Sequence, residues 1–322
     1  MSGRDYLYRG LLNMYVRRTQ KQVVNMSSVY VTKVLASKEE FAGRSWYYSF
    51  RELNSLFGED ECKKVADNLS VRYSKLTKVW DVDKNSEWLC RTYLSAKMIM
   101  TATLQLNAIE YSSKKNLRLV VPYLAYYSLL SLVRSVVYTL PEVPWDDGKL
   151  ISISHHKAIN LAFNHISNLD KGVADRFKAF CLKVKAYREL ISYRSPSSGD
   201  ENIGSIAEIE SVATILCEVA QFNSEVLEAS ILKKSDQATF VFAEKYISAL
   251  SGCKIEGERF FDREDTYRLG YLKRKYPISP NILHIMTEGH VEDFFGAWLP
   301  QDDEGDDVFD PDNNWQLIFD IP

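Results

Sequence analysis

The stretch LVVPYLAYYSLLSLVRSVVYTL, residues 119–140, decides the fold of this chain. It is apolar nearly all round, and its only charge is Arg134. A helix without a polar face is covered by neighbouring elements on most sides. The uncharged run stops at Val133, short of the roughly 18 apolar residues typical of a spanning helix. We therefore expect a helix from about Pro122 to Leu140 at the buried centre of a soluble helical bundle.

Helical periodicity continues on both sides of this central segment. Apolar residues recur at steps of three or four over residues 88–110 and again over 173–191. A helix with three histidines fills residues 154–166, and a capping box opens another helix over 205–232. At least five helices joined by short to moderate loops thus lie between residues 86 and 232. This pattern predicts a mainly α fold, an antiparallel helical bundle with irregular N- and C-terminal elaborations.

The flanks of the bundle are less regular. Residues 1–22 suggest a helix with a basic face, residues 27–35 (SSVYVTKVL) are β-branched enough for a strand, and a short helix is expected within 238–252. Capping boxes stand at Ser37–Glu40 and Ser49–Glu52. We divide the chain into an N-terminal helical or mixed region (1–85), the bundle (86–235), a C-terminal helical region (236–300) and an acidic tail (301–322).

The net charge of −3 conceals a strong asymmetry. Residues 276–322 contain eleven acids and no Lys or Arg, so the rest of the chain holds 40 basic and 32 acidic residues, a net charge of +8. Such an asymmetry bears on partners rather than on fold. A basic body favours RNA, DNA or an acidic protein as partner, with the tail as an internal shield.

The cysteines and the motif content exclude several classes of site. The five cysteines are scattered, odd in number and never in a CxxC pair, which argues against a disulfide framework or a thiolate zinc site and suits a reducing, cytoplasmic location. The chain has no GxxxxGK[ST], GxGxxG, HExxH or GxSxG motif. We expect no cofactor and no metal ion.

The histidines of SHHKAINLAFNHI, residues 154–166, are the first candidates for chemistry. His155 or His156 shares a stripe with Ile159, whereas His165 points elsewhere; no two are four residues apart, so a metal site within this helix is not expected. Ser154 is the predicted N-cap. We expect these histidines to pack, unless an Arg or a carboxylate from another helix lies beside them.

Arg134 is the second candidate, because an unpaired charge in an apolar helix is costly to bury. One interpretation is an internal ion pair with Glu110 or Glu189. The alternative is a phosphate- or nucleotide-binding pocket that Arg134 forms with Arg188 and Arg194.

Two C-terminal segments complete the candidates. Residues 259–275 interleave cations with aromatics, a composition that suits single-stranded nucleic acid, although an amphipathic helix with a solvated basic face explains it as well. The cations expected to bind phosphate here are Arg268, Lys273, Arg274 and Lys275. The terminal WQLIFDIP supplies apolar side chains that we expect to dock on a partner: Trp315, Ile318 and Phe319.

Residues 88–195 resemble the HEPN superfamily. The resemblance rests on the aromatic residues Tyr123, Tyr126 and Tyr127 of the central helix, on the His-Lys pair that opens the next helix, and on YRELISY late in the following one. Members of this family are small helical domains that include antitoxin-paired ribonucleases and components of bacterial antiviral systems. The resemblance covers about a third of the chain.

Catalytic members of the family carry an Arg followed a few residues later by a His, a pair that contacts and cleaves the RNA phosphodiester. Arg188 and Arg194 stand at the corresponding place, but ELISYRSPSSGD follows and contains no histidine. The resemblance therefore implies a non-catalytic binding protein that works with another protein, in a bacterial defence or toxin–antitoxin setting.

Two alternatives stay open at this point. One is a ribonuclease in which His155 or His156 meets Arg188 or Arg194 across helices. The other is a nucleic-acid-binding protein shielded by its acidic tail. Self-association is compatible with all three hypotheses.

Overall fold

The computed structural model describes residues 34–35, 48–146, 148–197, 206–274, 279–299 and 308–320. The described chain is mainly helical, which confirms the predicted fold class. Its larger part contains the helices α1 (Glu52–Leu56), α2 (Glu59–Thr77), α3 (Val82–Lys114), α4 (Val121–Tyr138), α5 (His155–Ile166), α6 (Lys171–Arg194) and α7 (Ile206–Lys234). The C-terminal part contains α8 (Glu244–Ser251), β1 (Gly252–Ile255), β2 (Glu258–Phe261), α9 (Arg263–Arg274), α10 (Ile282–Ile285) and α11 (Val291–Gly296).

Helix α4 lies at the centre of the bundle, as its apolar sequence predicts. It contacts α3, α5, α6 and α7, and residues such as Leu132 and Val136 are fully buried. Pro122 lies in its first turn, where the missing N–H is not needed. Of the helices in the described part of the chain, none combines the length and the apolarity needed to cross a membrane.

Helix α7 connects the bundle to the N-terminal region through a buried carboxylate. The side chain of Glu218 accepts hydrogen bonds from the backbone N–H groups of Arg51 (2.6 Å) and Leu53 (2.7 Å), at the start of α1. A carboxylate at a helix N-terminus satisfies amides that have no partner within the helix. Glu218 thus caps the start of α1, a role that the sequence assigned to a capping box at Ser49–Glu52.

A second buried carboxylate of α7 holds the C-terminal region. Glu228 accepts hydrogen bonds from Ser279 (2.8 Å) and from the Asn281 amide (2.6 Å), and His284 Nε2 lies 3.3 Å from it. Glu228 is fully buried, so these donors take the place of the water that its charge would otherwise require.

The C-terminal apolar side chains lie inside this chain. Ile318 and Phe319 are buried, Trp315 packs partly buried against the core, and the Phe319 ring is 4.7 Å from that of Tyr48. This position differs from the expectation that these side chains meet a partner, because the N-terminal region already covers them. One hydrophobic cluster runs from Val34 to Phe319, so the described parts of the four predicted regions share a core.

A buried arginine ends helix α4. The Arg91 guanidinium donates hydrogen bonds to the carbonyl oxygens of Tyr138 (2.8 Å), Leu140 (2.7 Å) and Val143 (2.9 Å). Its Cζ lies 4.0 Å from the centre of the Trp88 ring. These bonds satisfy the last carbonyl group of α4, that of Tyr138, and fix the loop that follows the helix through Leu140 and Val143.

Of the residues in the N-terminal predictions before residue 48, the structure describes only Val34 and Leu35. Val34 and Leu35, at the end of the predicted strand over 27–35, are helical and buried. The predicted basic helix over residues 1–22 and the capping box at Ser37–Glu40 lie outside the described residues.

One interpretation of the basic-aromatic segment, residues 259–275, was a single amphipathic helix. Its described residues instead form the end of a hairpin followed by a helix. Strands β1 and β2 form an antiparallel hairpin, and α9 begins only at Arg263. The turn between the strands places Glu256 (φ 51°) and Gly257 (φ 94°) in the left-handed region, as a tight two-residue hairpin turn requires.

Candidate phosphate-binding site

Helices α4 and α6 run antiparallel, and each carries a row of polar side chains along the line where the two helices meet. Tyr123, Tyr127 and Arg134 recur along one side of α4, and Lys185, Arg188 and Ser192 follow at helical steps along α6. Ser192 Oγ donates a hydrogen bond to Tyr123 Oη (3.1 Å), and further along α4 the Arg188 guanidinium packs on Tyr126.

Five side chains from three helices lie close together where α4 packs against α6. We call them the Tyr126 cluster: Tyr126, Tyr127, Arg134, His155 and Arg188. The Arg188 Cζ atom lies 5.0 Å from the centre of the Tyr126 ring and 5.9 Å from that of Tyr127. The His155 ring lies 5.9 Å and 6.3 Å from the same two rings. Tyr127 is exposed, and Arg134, His155 and Arg188 are half-buried, so the cluster is open to solvent.

The electrostatic environment of His155 is positive. Burial lowers the pKa of His155, and the charges of Arg134, Arg188 and Lys185 lower it further. Glu189 is a carboxylate that acts on Arg188, and it also forms an ion pair with Lys185 (3.0 Å). The surrounding positive charge therefore disfavours the imidazolium form of His155.

Arg134 does not form the ion pair predicted for it. Glu110 pairs with Lys114 (2.8 Å) and Glu189 with Lys185, whereas Arg134 donates one long hydrogen bond, 3.5 Å, to the carbonyl oxygen of Ile153. The loop before α5 comes closer to Arg134 than either acid does, a placement that helical register alone does not reveal.

Both arginines of the cluster retain unused donors. The Nε atoms of Arg134 and Arg188 are shielded from solvent and make no hydrogen bond with a described residue. A shielded guanidinium N–H without an acceptor is costly, and an anionic oxygen is the acceptor that it binds best.

The hydroxyl of Tyr126 joins His155 to Arg188. The Tyr126 hydroxyl lies 2.8 Å from His155 Nδ1, and its oxygen also interacts with the Arg188 guanidinium, which can only donate. The phenol oxygen can accept hydrogen bonds as well as donate one, so Tyr126 bridges His155 and Arg188.

The start of α5 adds further donors beside His155. Ser154 is the N-cap residue, as predicted, but its side chain makes no capping hydrogen bond. The first amides of this helix therefore remain available, and such amides favour negative charge.

The remaining predicted histidines and Arg194 lie apart from the cluster. His156 is exposed, with Nε2 2.9 Å from the Asn160 amide, and Arg194 is exposed at the end of α6. His165 is buried, bonds Asn223 at 2.9 Å, and has a pKa lowered to about 4 by burial. His165 packs, as expected, whereas His155 is the histidine with an Arg beside it.

The cations predicted in residues 259–275 are dispersed. Arg268 is buried with its Cζ 6.0 Å from the Phe294 ring centre, so it is not offered to a phosphate. Lys273 pairs with Glu244, Arg274 is exposed, and Lys275 lies outside the described residues. This segment therefore gives no single cationic surface.

No metal site is apparent in the described residues: they contain no group of three His, Cys, Asp or Glu side chains that could hold an ion. Sequence reasoning grouped Arg134 with Arg188 as a phosphate pocket and His155 with Arg188 as a ribonuclease site, but it did not place Tyr126 between them. The available signal was the Tyr-Tyr pair, because adjacent helical residues point in different directions and only one of the two can be buried.

Comparison with known proteins identifies no relative of this chain. No family model, no curated protein and no solved structure matches the chain significantly.

Proposed function

We propose that this is a non-catalytic binding protein whose Tyr126 cluster holds the phosphate groups of single-stranded RNA. The observation that supports the proposal best is the position of two partly exposed arginines, Arg134 and Arg188, beside His155. Arginine donors suit phosphate oxygens, and the exposed Tyr127 ring offers a face on which a base can stack.

The hydrogen bond of His155 supports binding rather than cleavage. A general base needs a free lone pair directed at the substrate, and in this cluster the Tyr126 hydroxyl occupies the Nδ1 side of the imidazole. The absence of the family's Arg–His motif after Arg188 supports the same conclusion. We further propose, from the HEPN resemblance, that the protein acts in complex with another protein.

Binding is tested by fluorescence anisotropy with a labelled single-stranded RNA, at several salt concentrations. Arg134→Gln and Arg188→Gln should each weaken binding by about tenfold, because each removes a charge-assisted contact. Arg176→Gln, an exposed arginine on the same helix as Arg188, is the matched control and should leave affinity unchanged. Equal affinity in all four proteins would overturn the proposal.

A ribonuclease is the second candidate, favoured by the shared contact of His155 and Arg188 with Tyr126. Incubation of the purified protein with labelled RNA separates the two candidates. Cleavage by the wild type that is lost in both His155→Ala and Arg188→Ala would establish the enzyme. Intact RNA at concentrations that saturate binding supports the non-catalytic function.

A further inference from the structure

The β1–β2 hairpin projects from the helical body with every residue of both strands exposed. The base of the hairpin is closed by a hydrogen bond from the Asp262 amide to the Ser251 carbonyl (2.8 Å), and its tip is the tight turn at Glu256 and Gly257. A two-stranded hairpin alone is marginally stable in water, so a partner that packs on this exposed hairpin would stabilise it.

The pairing register of the two strands makes one face of the hairpin largely apolar and the other basic. Cys253 lies opposite Phe260 and Ile255 opposite Glu258, so one face is largely apolar: Cys253, Ile255 and Phe260. Ile255 is 59% exposed and Phe260 56%. We call this the apolar face of the hairpin.

The other face, which we call the basic face, carries Lys254, Arg259 and Phe261. Lys254 lies directly opposite Arg259, and like charges directly opposite each other destabilise a strand pair. Neither cation forms an ion pair with a carboxylate of the described residues. An acidic side chain placed between them would relieve the repulsion.

The strand edges are also open. In the described chain the sheet has only these two strands, so each has one edge without a strand partner. In a hairpin with a two-residue turn the pair next to the turn is hydrogen-bonded and the following pair is not. The backbone N–H and C=O groups of Lys254 and Arg259 therefore point outward, where an added strand would meet them.

We propose that this hairpin binds an extended segment of another protein in which apolar and acidic residues alternate. Addition of such a strand to one edge satisfies the outward backbone groups. Alternation then places its apolar residues on the apolar face of the sheet and its acidic residues on the basic face, next to Lys254 if the strand joins β1 or next to Arg259 if it joins β2. A second copy of the hairpin fits poorly, because it would add two more cations to the basic face.

The test uses the full-length chain and a short fluorescein-labelled peptide of alternating valine and glutamate. We expect saturable binding that falls by about tenfold in the double variant Lys254→Glu/Arg259→Glu. A peptide of alternating valine and lysine should show the reverse preference, binding the double variant and not the wild type. This gain of binding cannot come from misfolding.

Two further measurements complete the test. Lys63→Glu/Lys64→Glu, which makes the same charge change on exposed residues of α2, should bind the glutamate peptide as the wild type does. Hydrogen exchange over residues 252–261 should slow when the glutamate peptide is bound, because an added strand protects the edge amides. Absence of saturable binding, or equal binding by the wild type and the Lys254/Arg259 variant, would overturn the proposal. A uridine oligonucleotide that needs Lys254 and Arg259 while the peptide does not would overturn it in favour of nucleic acid.

Discussion

The hydroxyl of Tyr126 lies 2.8 Å from Nδ1 of His155, and the same tyrosine ring carries the Arg188 guanidinium 5.0 Å above its centre. Tyr126 thus positions both the imidazole and a cation of the proposed RNA site. Tyr126→Phe keeps the ring and removes the hydroxyl, which costs about 1 kcal/mol of stability for the lost hydrogen bond. We expect RNA affinity to fall several-fold, measured by anisotropy. Tyr123→Phe, which loses the bond from Ser192, is the matched control and should leave affinity near that of the wild type.

The pH dependence of RNA binding should report His155. Its pKa is lowered in the free protein, and a bound phosphate supplies the negative charge that stabilises the imidazolium, so binding takes up a proton. Affinity should therefore rise as the pH falls from about 7.5 to about 5.5. His155→Gln should flatten this dependence, whereas His156→Gln should not. A wild-type profile that stays flat over this range would contradict the role of His155.

Arg91→Met should be among the most destabilising substitutions of the bundle. It leaves the buried carbonyl groups of Tyr138 and Val143 without the Arg91 donor, and it leaves the Leu140 carbonyl with only the long hydrogen bond from the Val143 amide (3.4 Å). Each orphaned group costs about 1 kcal/mol or more, so we expect a loss of about 2–4 kcal/mol in the free energy of unfolding by urea. Arg72→Met removes an ion pair with Glu142 that is largely exposed, and it should change that free energy by less than about 1 kcal/mol.

Glu218 should make stability depend on pH. Burial raises the pKa of Glu218 to about 7, against the opposing effect of the Leu53 and Arg51 amides. A folded-state pKa above the unfolded value gives a contribution that is full below about pH 4.5 and is lost as the pH rises through about 7. Glu218→Gln does not titrate, so its destabilisation relative to wild type should be about 2 kcal/mol larger at pH 5 than at pH 8. Urea unfolding at the two pH values measures this difference; an equal difference at both would show that Glu218 does not titrate between them.

Phe319→Ala tests the internal position of the C-terminal segment. Phe319 is 1% exposed and packs on Tyr48, so its truncation should cost about 3–5 kcal/mol. Trp298→Ala, an exposed aromatic side chain, should cost less than about 1 kcal/mol. If Phe319→Ala left the thermal midpoint unchanged, the segment would be free to bind elsewhere.

The parts of the fold that sequence reasoning predicted are those set by local periodicity. The five helices over residues 82–234 follow from apolar side chains at steps of three and four, and α4 from the lack of a polar face. The largest difference is in α3, which extends to Val82 and Lys114 beyond the predicted limits at residues 88 and 110, because polar residues at a helix end carry no periodic signal.

The features that escaped sequence reasoning depend on contacts between distant residues. Nothing near Ser49 indicates that Glu218 supplies the cap of α1, and nothing near Arg134 indicates that the Ile153 carbonyl replaces an acid. The hairpin turn did carry a local signal, the Glu256–Gly257 pair between short β-branched and aromatic runs, but the charges of the segment favoured a helix.

The contacts of Arg51 have a consequence for the order in which the chain folds during synthesis. Its amide binds Glu218, 167 residues later, and its side chain donates to the carbonyl of Leu317, 266 residues later. A ribosome therefore exposes α1 long before either partner exists, and contacts so distant in sequence form slowly. Until residues 317–319 have been synthesised, the apolar side chains around Tyr48 lack part of their cover, and exposed apolar surface of this kind makes a nascent chain prone to aggregate.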